Sequence, residues 1–159
     1  MTASEVALSA RSELEAVYRE HGSRLWRSLL LYSGDPEVAS DAMAEAFTQA
    51  LARGDAIRSP LAWVWKAAFR LAAGELKRSK GRRLMEPHGS STPDEALSDV
   101  LGAMAALSPK QRGSLILHHY AGYPIKDVAR ILGSTPAAVG VHLHRGRTRL
   151  RRILEDDHA

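Results

Sequence analysis

The chain has 159 residues, enough for one ordinary domain or two small ones, and contains no cysteine, which excludes disulfides, thiolate zinc sites and cysteine nucleophiles. Hydrophobic residues make up 45% and charged residues 25%, a globular rather than a disordered composition. The net charge of +4 hides a strong segregation: residues 58–85 carry eight basic residues and one acidic, residues 108–154 carry nine and one, and acidic stretches flank both blocks. Two separated basic blocks suggest two contacts with a polyanion, although two solvated basic helix faces would look the same. No apolar run reaches the roughly 18 residues of a membrane span. Residues Met1 to Ala10 include Glu5 and have no apolar core, so no secretory signal is expected and the cytoplasm is the expected compartment.

In chain order nearly everything reads as helix. The first runs from about Glu13 to Tyr32, with Leu14, Val17, Tyr18, Leu25, Trp26, Leu29 and Leu30 as an apolar stripe. Gly34-Asp35-Pro36 stops it and starts the next, Asp35 as N-cap and Pro36 as first helical residue. The second carries Val38, Ala39, Ala42, Met43, Ala46, Phe47, Ala50 and Leu51, with Asp41 and Glu45 as neighbours on the opposite side. Ser59-Pro60 caps a third helix reaching about Arg78. Its apolar arc holds Leu61, Val64, Trp65, Ala68, Phe69, Leu71, Ala72 and Leu76; Trp63, Lys66, Arg70 and Lys77 share the other arc. Trp63 is thus an aromatic among cations, while Trp26 and Trp65 read as core.

Residues 79–93, with two prolines and many small polar residues, read as a linker. The expected division is an N-terminal extension (1–12), a first helical domain (13–79), a linker (80–93), a second helical domain (94–155) and an acidic tail (156–159). Each half is small enough for its core to be marginal by itself. In the second half Leu97, Val100, Leu101, Met104 and Leu107 have helical spacing. Ser108-Pro109 caps the next helix, with Leu115, Ile116, Leu117 and Tyr120 as its apolar set, and Gly122-Tyr123-Pro124 breaks it.

The segment from Pro124 to Leu150 reads as a helix-turn-helix. That motif needs a small residue where its helices cross, a turn residue that accepts positive φ and an apolar anchor on the second helix. Ala129, Gly133 and Val139 stand at those offsets, and Val128, Ile131, Leu132 and Leu143 supply the core. Thr135-Pro136 caps the second helix, which reaches about Leu154 with Leu150, Ile153 and Leu154 also facing inward. Its N-terminal residues would enter the major groove. Ala137, Ala138, Val141, Arg145 and Thr148 face away from the core, and His142, His144, Arg147 and Arg149 lie toward the flanks. The arginines from Arg145 to Arg152 can reach phosphates, which would make binding salt-sensitive. An ordinary helical hairpin with a basic end is the plainer alternative.

At this point the residues resemble the extracytoplasmic-function sigma factors, the smallest members of the sigma-70 family, over roughly residues 13–155. Leu14 to His21 resembles the opening helix of the family's second conserved region. Gly34 to Phe47 resembles its polymerase-binding helix, usually written D-x-x-Q-E-x-F, and Trp63 to Ala72 resembles its −10 helix. Leu107 to Arg112 and Leu143 to Arg151 resemble the fourth conserved region. The resemblance implies an all-α fold of two small helical domains joined by a flexible linker, the C-terminal one a helix-turn-helix. It implies core RNA polymerase as partner, through its β′ and β subunits, with Asp41, Glu45 and Phe47 docking on the β′ coiled coil. Trp63, Lys66, Arg70 and Lys77 would meet the −10 element and its opened strand. Thr135, Ala137, Ala138, Val141, His142, His144, Arg145, Arg147 and Arg149 would meet the −35 element. Promoter DNA is therefore a partner, an anti-sigma factor is a common one in that family, and no cofactor is implied.

The chain departs from the family pattern at named places. Ala44 stands where the family has glutamine, and Arg70 and Gly74 stand where its −10 helix usually has Asn and Asp. Gly140, Val141 and His142 replace polar or basic residues on the reading helix. Val141 can touch a thymine methyl but cannot hydrogen-bond a base, so the −35 sequence is expected to be unusual or read through backbone and shape. A DNA-binding regulator that does not engage polymerase is the alternative function. An enzyme is not expected: there is no phosphate-cradling glycine loop and no nucleophile elbow. His118, His119, His142 and His144 are the candidate metal ligands, but adjacent or i+2 histidines on a helix diverge by about 100° or 160°.

Overall fold

Thr2 and Glu5 explain where the first helix begins. In the computed structural model, which describes residues 2–79 and 95–157, the Thr2 hydroxyl accepts from the Glu5 N–H (3.2 Å) and the Glu5 carboxylate accepts from the Thr2 N–H (2.8 Å). This capping box starts α1 at Ala3 and carries it to Ser33, so it begins ten residues before the expected Glu13. Leu14, Leu25, Leu29 and Leu30 of the expected stripe are buried, but Tyr18 is 59% exposed. Its ring lies edge-on to Phe47, 5.3 Å between centroids.

Gly34, at φ 71°, ends α1, and the Asp35 carboxylate accepts from the Glu37 N–H (2.9 Å) to start α2, Pro36–Arg53. α2 buries Val38, Ala39, Ala42, Met43, Ala46 and Ala50, and its small residues let α1 and α2 approach closely. A 3-10 turn, Gly54–Ala56, leads to α3, Pro60–Arg78, which buries Val64, Trp65, Ala68, Phe69 and Ala72. The expected linker, residues 80–93, lies outside the described residues.

The second unit contains α4 (Glu95–Ala105), α5 (Pro109–Leu115), α6 (Ile125–Leu132) and α7 (Pro136–Asp157). A second capping box, between Ser108 and Gln111, starts α5. The residues after α5 do not continue as α-helix. Ile116–Tyr120 form a π-helical turn, closed by the Ala121 N–H donating to the Ile116 carbonyl (2.9 Å). Tyr120 is therefore 40% exposed rather than part of the apolar set, because the wider turn changes the helical phase. Three other expected core positions also reach solvent, Leu51 of α2 at 52%, Val100 at 44% and Leu154 at 47%. Leu154 does so because the 22-residue α7 outruns α5 and α6, which have only 7 and 8 residues.

All regular structure among the described residues is helical, and the two helical units share one apolar core. Tyr123, between the π turn and α6, packs edge-on against Trp65 of α3 with centroids 5.2 Å apart. Arg112 of α5 is the main polar link. Its Nε donates to the Tyr32 carbonyl at the end of α1 (2.6 Å) and its Nη1 to the Leu107 carbonyl (2.9 Å), while the guanidinium lies over the Tyr32 ring. α1 has no basic residue in its own last turn, so Arg112 supplies the cation that a helix C-terminus favours. Burial lowers the Arg112 pKa and raises that of Tyr32, and each partly offsets the other's shift. Gly113 lets the helices approach closely here: a Cβ would come within 3.3 Å of the Tyr32 ring and 3.1 Å of Leu132, so those side chains would have to shift by a few tenths of an ångström. The two small cores expected from the sequence thus complete each other. The Trp65 Nε1 and the Ser114 hydroxyl are buried there without a hydrogen-bond partner among the described residues.

Candidate nucleic-acid interface

The turn between α6 and α7 sets the reading helix. Ala129 is 3% exposed where the two helices cross. Gly133 adopts the left-handed conformation (φ 64°, ψ 43°), and the Ser134 N–H donates back to the Ala129 carbonyl (2.8 Å). Val128, Ile131, Val139 and Leu143 are buried and Leu132 is half-buried beside them. This is the helix-turn-helix expected from the sequence, with its small residue, its turn glycine and its anchor in the anticipated roles.

The Thr135 hydroxyl accepts from the Ala138 N–H (3.1 Å), so it caps α7. The first turn of α7 contains no acidic residue, which suits the approach of phosphate to a helix N-terminus. Ala137, Val141, His144 and Arg145 are exposed, as are Arg147 and Arg149, while Ala138 and His142 are half-buried. At 100° per residue Ala137, Val141, His144 and Thr148 fall on one line, with Arg145 beside it. Arg147 and Arg149 stand on opposite flanks. The Thr148 hydroxyl is turned back to the His144 carbonyl (3.0 Å). His142 has its pKa lowered by desolvation first, then by Lys110 of α5 and by Arg145.

The second basic face lies on α3. Lys66, Arg70 and Lys77 are exposed in a row, and Trp63 at its head is half-buried against the edge of the core. The Arg53 guanidinium lies 5.3 Å from the Trp63 ring centroid. Arg53 was not among the expected site residues. It ends α2 rather than belonging to α3, so the periodicity of α3 could not reveal it.

The three candidate polymerase-docking residues do not come together. Asp41 and Glu45 are exposed neighbours, and Glu45 accepts from the Gln49 side-chain amide (3.0 Å). With Glu37, Glu75 and Arg78 they line a shallow groove of about 310 Å³ between α2 and α3. Phe47 instead turns toward α1, where it meets Tyr18. Glu37 extends the acidic character of the groove, while Glu75 is paired there with Arg78 (3.0 Å). The signal for Glu37 was its position four residues before Asp41; nothing in the sequence pointed to Glu75.

Among the described residues no group of three or more His, Asp or Glu side chains could hold a metal ion, and no helix is long and apolar enough to cross a membrane. His118 and His119 do approach each other, with ring centroids 4.9 Å apart, because they share the π turn. The His118 Nδ1 is hydrogen-bonded to the Tyr123 carbonyl (2.8 Å).

A helix-turn-helix with an arginine-rich second helix, preceded by a three-helix unit with its own basic face, has the architecture of a DNA-binding protein. Residues 97–150 match the family described as "Sigma-70, region 4". The chain is 30% identical to the ECF RNA polymerase sigma factor SigL of Mycobacterium tuberculosis, over 96% of this chain and 95% of that protein. It is 28% identical to the RNA polymerase sigma-E factor of Streptomyces avermitilis, over 90% and 86%. The same fold occurs in the structure of CnrH in complex with the cytosolic domain of CnrY, with a TM-score of 0.75, 19% identity and coverage of 98% of this chain and 96% of that one. It recurs in the sigma factor RpoE of Bartonella quintana, solved with the anti-sigma factor NepR, with a TM-score of 0.70, 23% identity and coverage of 91% and 96%. The chain belongs to the extracytoplasmic-function family of RNA polymerase sigma factors, proteins that direct promoter-specific initiation of transcription.

Proposed function

We propose that this sigma factor divides its work between the two units. The unit at residues 13–79 binds core polymerase and the −10 element, and the unit at residues 94–155 binds the −35 element. The acidic row of Asp41 and Glu45 meets the coiled coil of β′, where opposite charge steers the encounter. Phe47 serves that contact from its own side of α2, with Tyr18. The exposed cations Lys66, Arg70 and Lys77 bind phosphates at the −10 element, and Trp63 offers a face to an unstacked base. Arg53 lies over that ring, so a base must take its other face or displace the guanidinium. Ala137, Ala138, Val141, His142 and His144 approach base edges or groove walls, Thr135 holds the start of α7, and Arg145, Arg147 and Arg149 bind backbone. The protein contributes no chemistry of its own; it delivers polymerase and helps open the duplex. An anti-sigma factor is the proposed regulator, by analogy with RpoE, and the cytoplasm is the proposed compartment.

The observation that carries this reading is the pairing in one chain of an exposed acidic row on α2 with two separate exposed basic faces. A regulator that never meets polymerase needs only one of the basic faces. The test is gel filtration of the full chain with bacterial core polymerase. A one-to-one complex that is lost on Asp41→Arg with Glu45→Arg supports the assignment. Free elution from core that still binds another sigma factor overturns it.

A further inference from the structure

Five arginines lie between Arg145 and Arg152 on α7, and Arg147 is held differently from the others. Its Nη1 stands 3.1 Å from the Nε2 of His119 on the π turn. Among the described residues Arg145, Arg149, Arg151 and Arg152 have no hydrogen-bond or ion-pair partner. A guanidinium only donates, so the Nε2 of His119 must accept, and the ring is then neutral with its proton on Nδ1. The partner is an uncharged acceptor rather than a carboxylate. It fixes the head group without cancelling its charge and leaves the other four N–H donors free.

The turn that presents His119 is itself fixed. The π-helical closure at Ile116–Ala121 sets its phase, and the bond from His118 to the Tyr123 carbonyl anchors it. The His118 ring then packs edge-on against His119. Such turns often accompany functional sites. The charged or titratable groups acting on His119 are His118 on its own turn and Arg147 from α7. Both lower its pKa, after desolvation, which keeps the ring neutral and able to accept.

We propose that His119 is a positioning residue for promoter binding: it holds the Arg147 guanidinium along the flank of α7, ready for the DNA backbone. This rests on the placement of Arg147 at the −35 interface. An arginine held in place loses less freedom on meeting a phosphate, so the benefit falls on affinity rather than on stability. The contact is also pH-dependent. A protonated His119 cannot accept and would set a second positive charge beside Arg147.

The test measures binding of the full chain to a short fluorescent mixed-sequence DNA duplex at low salt, at about pH 8 and then at successively lower pH, carried well below the ordinary histidine range because the His119 pKa is lowered. At the highest pH His119→Ala should weaken binding about two- to tenfold, and His119→Gln, whose side-chain oxygen also accepts, should restore part of it. Adding His119→Ala to Arg147→Ala should cost nothing further. At the lowest pH the advantage of the wild type over His119→Ala should vanish, whereas that of His119→Gln should persist. If Arg147→Ala weakens binding but His119→Ala does not, or if the two losses multiply, His119 does not act through Arg147 and the proposal fails alone. If Arg147→Ala leaves binding intact, the placement of Arg147 fails and takes the proposal with it. Equal thermal melts of the variants exclude a folding defect.

Discussion

α3 and α7 each turn one face inward and show a row of cations to solvent, yet they are held in different ways. α3 is packed on two sides, against α1 and α2 by its own unit and against the α6 region through Trp65 and Tyr123. α7 is anchored at its N-terminal end by Val139 and Leu143, touches α5 at Gly146, and then runs outward with Leu154 exposed. The lesson is that the two basic surfaces have different mechanical backing. Lys66, Arg70 and Lys77 ride on a helix clamped along its length. α7 is packed through Val139, Leu143, Gly146 and Leu150, and only its last turns, with Arg151 and Arg152, extend beyond α5 and α6.

Truncating one buried and one outlying side chain separates the two kinds of support. Trp65→Ala should cost about 3 kcal/mol, within the range for buried aromatic residues, because Trp65 is only 1% exposed. Leu154→Ala should cost less than about 0.5 kcal/mol. Urea denaturation of both variants checks this, and equal losses would mean that α7 is held along its whole length.

A smaller effect is expected where α7 crosses α5. A Cβ at Gly146 would meet the Leu115 Cδ1 at 3.0 Å, so Gly146→Val should cost about 1–3 kcal/mol by overpacking, read as a lower urea midpoint. Next come the contacts with DNA. Arg145→Ala should reduce the slope of log affinity against log salt by about 1, whereas Val141→Ala should leave that slope unchanged while altering sequence preference. Salt titrations with duplex DNA separate the two.

The smallest effect concerns pH. The lowered pKa of His142 means that the unfolded chain takes up a proton on this residue at higher pH than the folded one does. Its contribution to stability is present above the ordinary value near 6.5 and is lost as pH falls through the lower folded value. His142→Gln should therefore flatten the acid limb of melting temperature against pH. At the alkaline end Tyr123, pushed up to about 12 first by burial and then by Asp127 against a smaller opposing effect of Arg24, should stay un-ionised when an ordinary tyrosine has titrated. Spectrophotometric titration would detect it.

Much of the fold was legible because its signals are local. Asp35-Pro36, Ser108-Pro109, Gly133 and the spacing of Ala129, Val139 and Leu143 each specify a cap, a turn or an anchor by their own chemistry, and the structure uses them so. The early start of α1 was legible too, since Thr2 and Glu5 have capping-box spacing, but the apolar stripe drew the boundary to Glu13. Other features depend on tertiary contact and leave no local trace. The π turn has no sequence signature, so α-helical spacing alone points Tyr120 toward the core, where the structure does not place it. Tyr18 fits the helical arc but finds only Phe47 at its edge. Arg112 looked like part of a motif, and nothing near it in sequence points to the Tyr32 carbonyl. For the candidate interface, helical phase brought out the cations of α3 and α7. It missed Arg53 and His119, which reach those faces from other elements.

The bond from Arg112 to Tyr32 joins residues 80 apart in sequence. During synthesis α1 to α3 leave the ribosome first, with the Tyr32 carbonyl still without Arg112 and Trp65 without Tyr123. At roughly 5–20 residues per second, about 4–16 seconds separate the emergence of Tyr32 from that of Arg112. For that interval the newborn chain displays an aromatic face that the finished protein hides, and the order of translation decides how long it stays open to capture by other proteins.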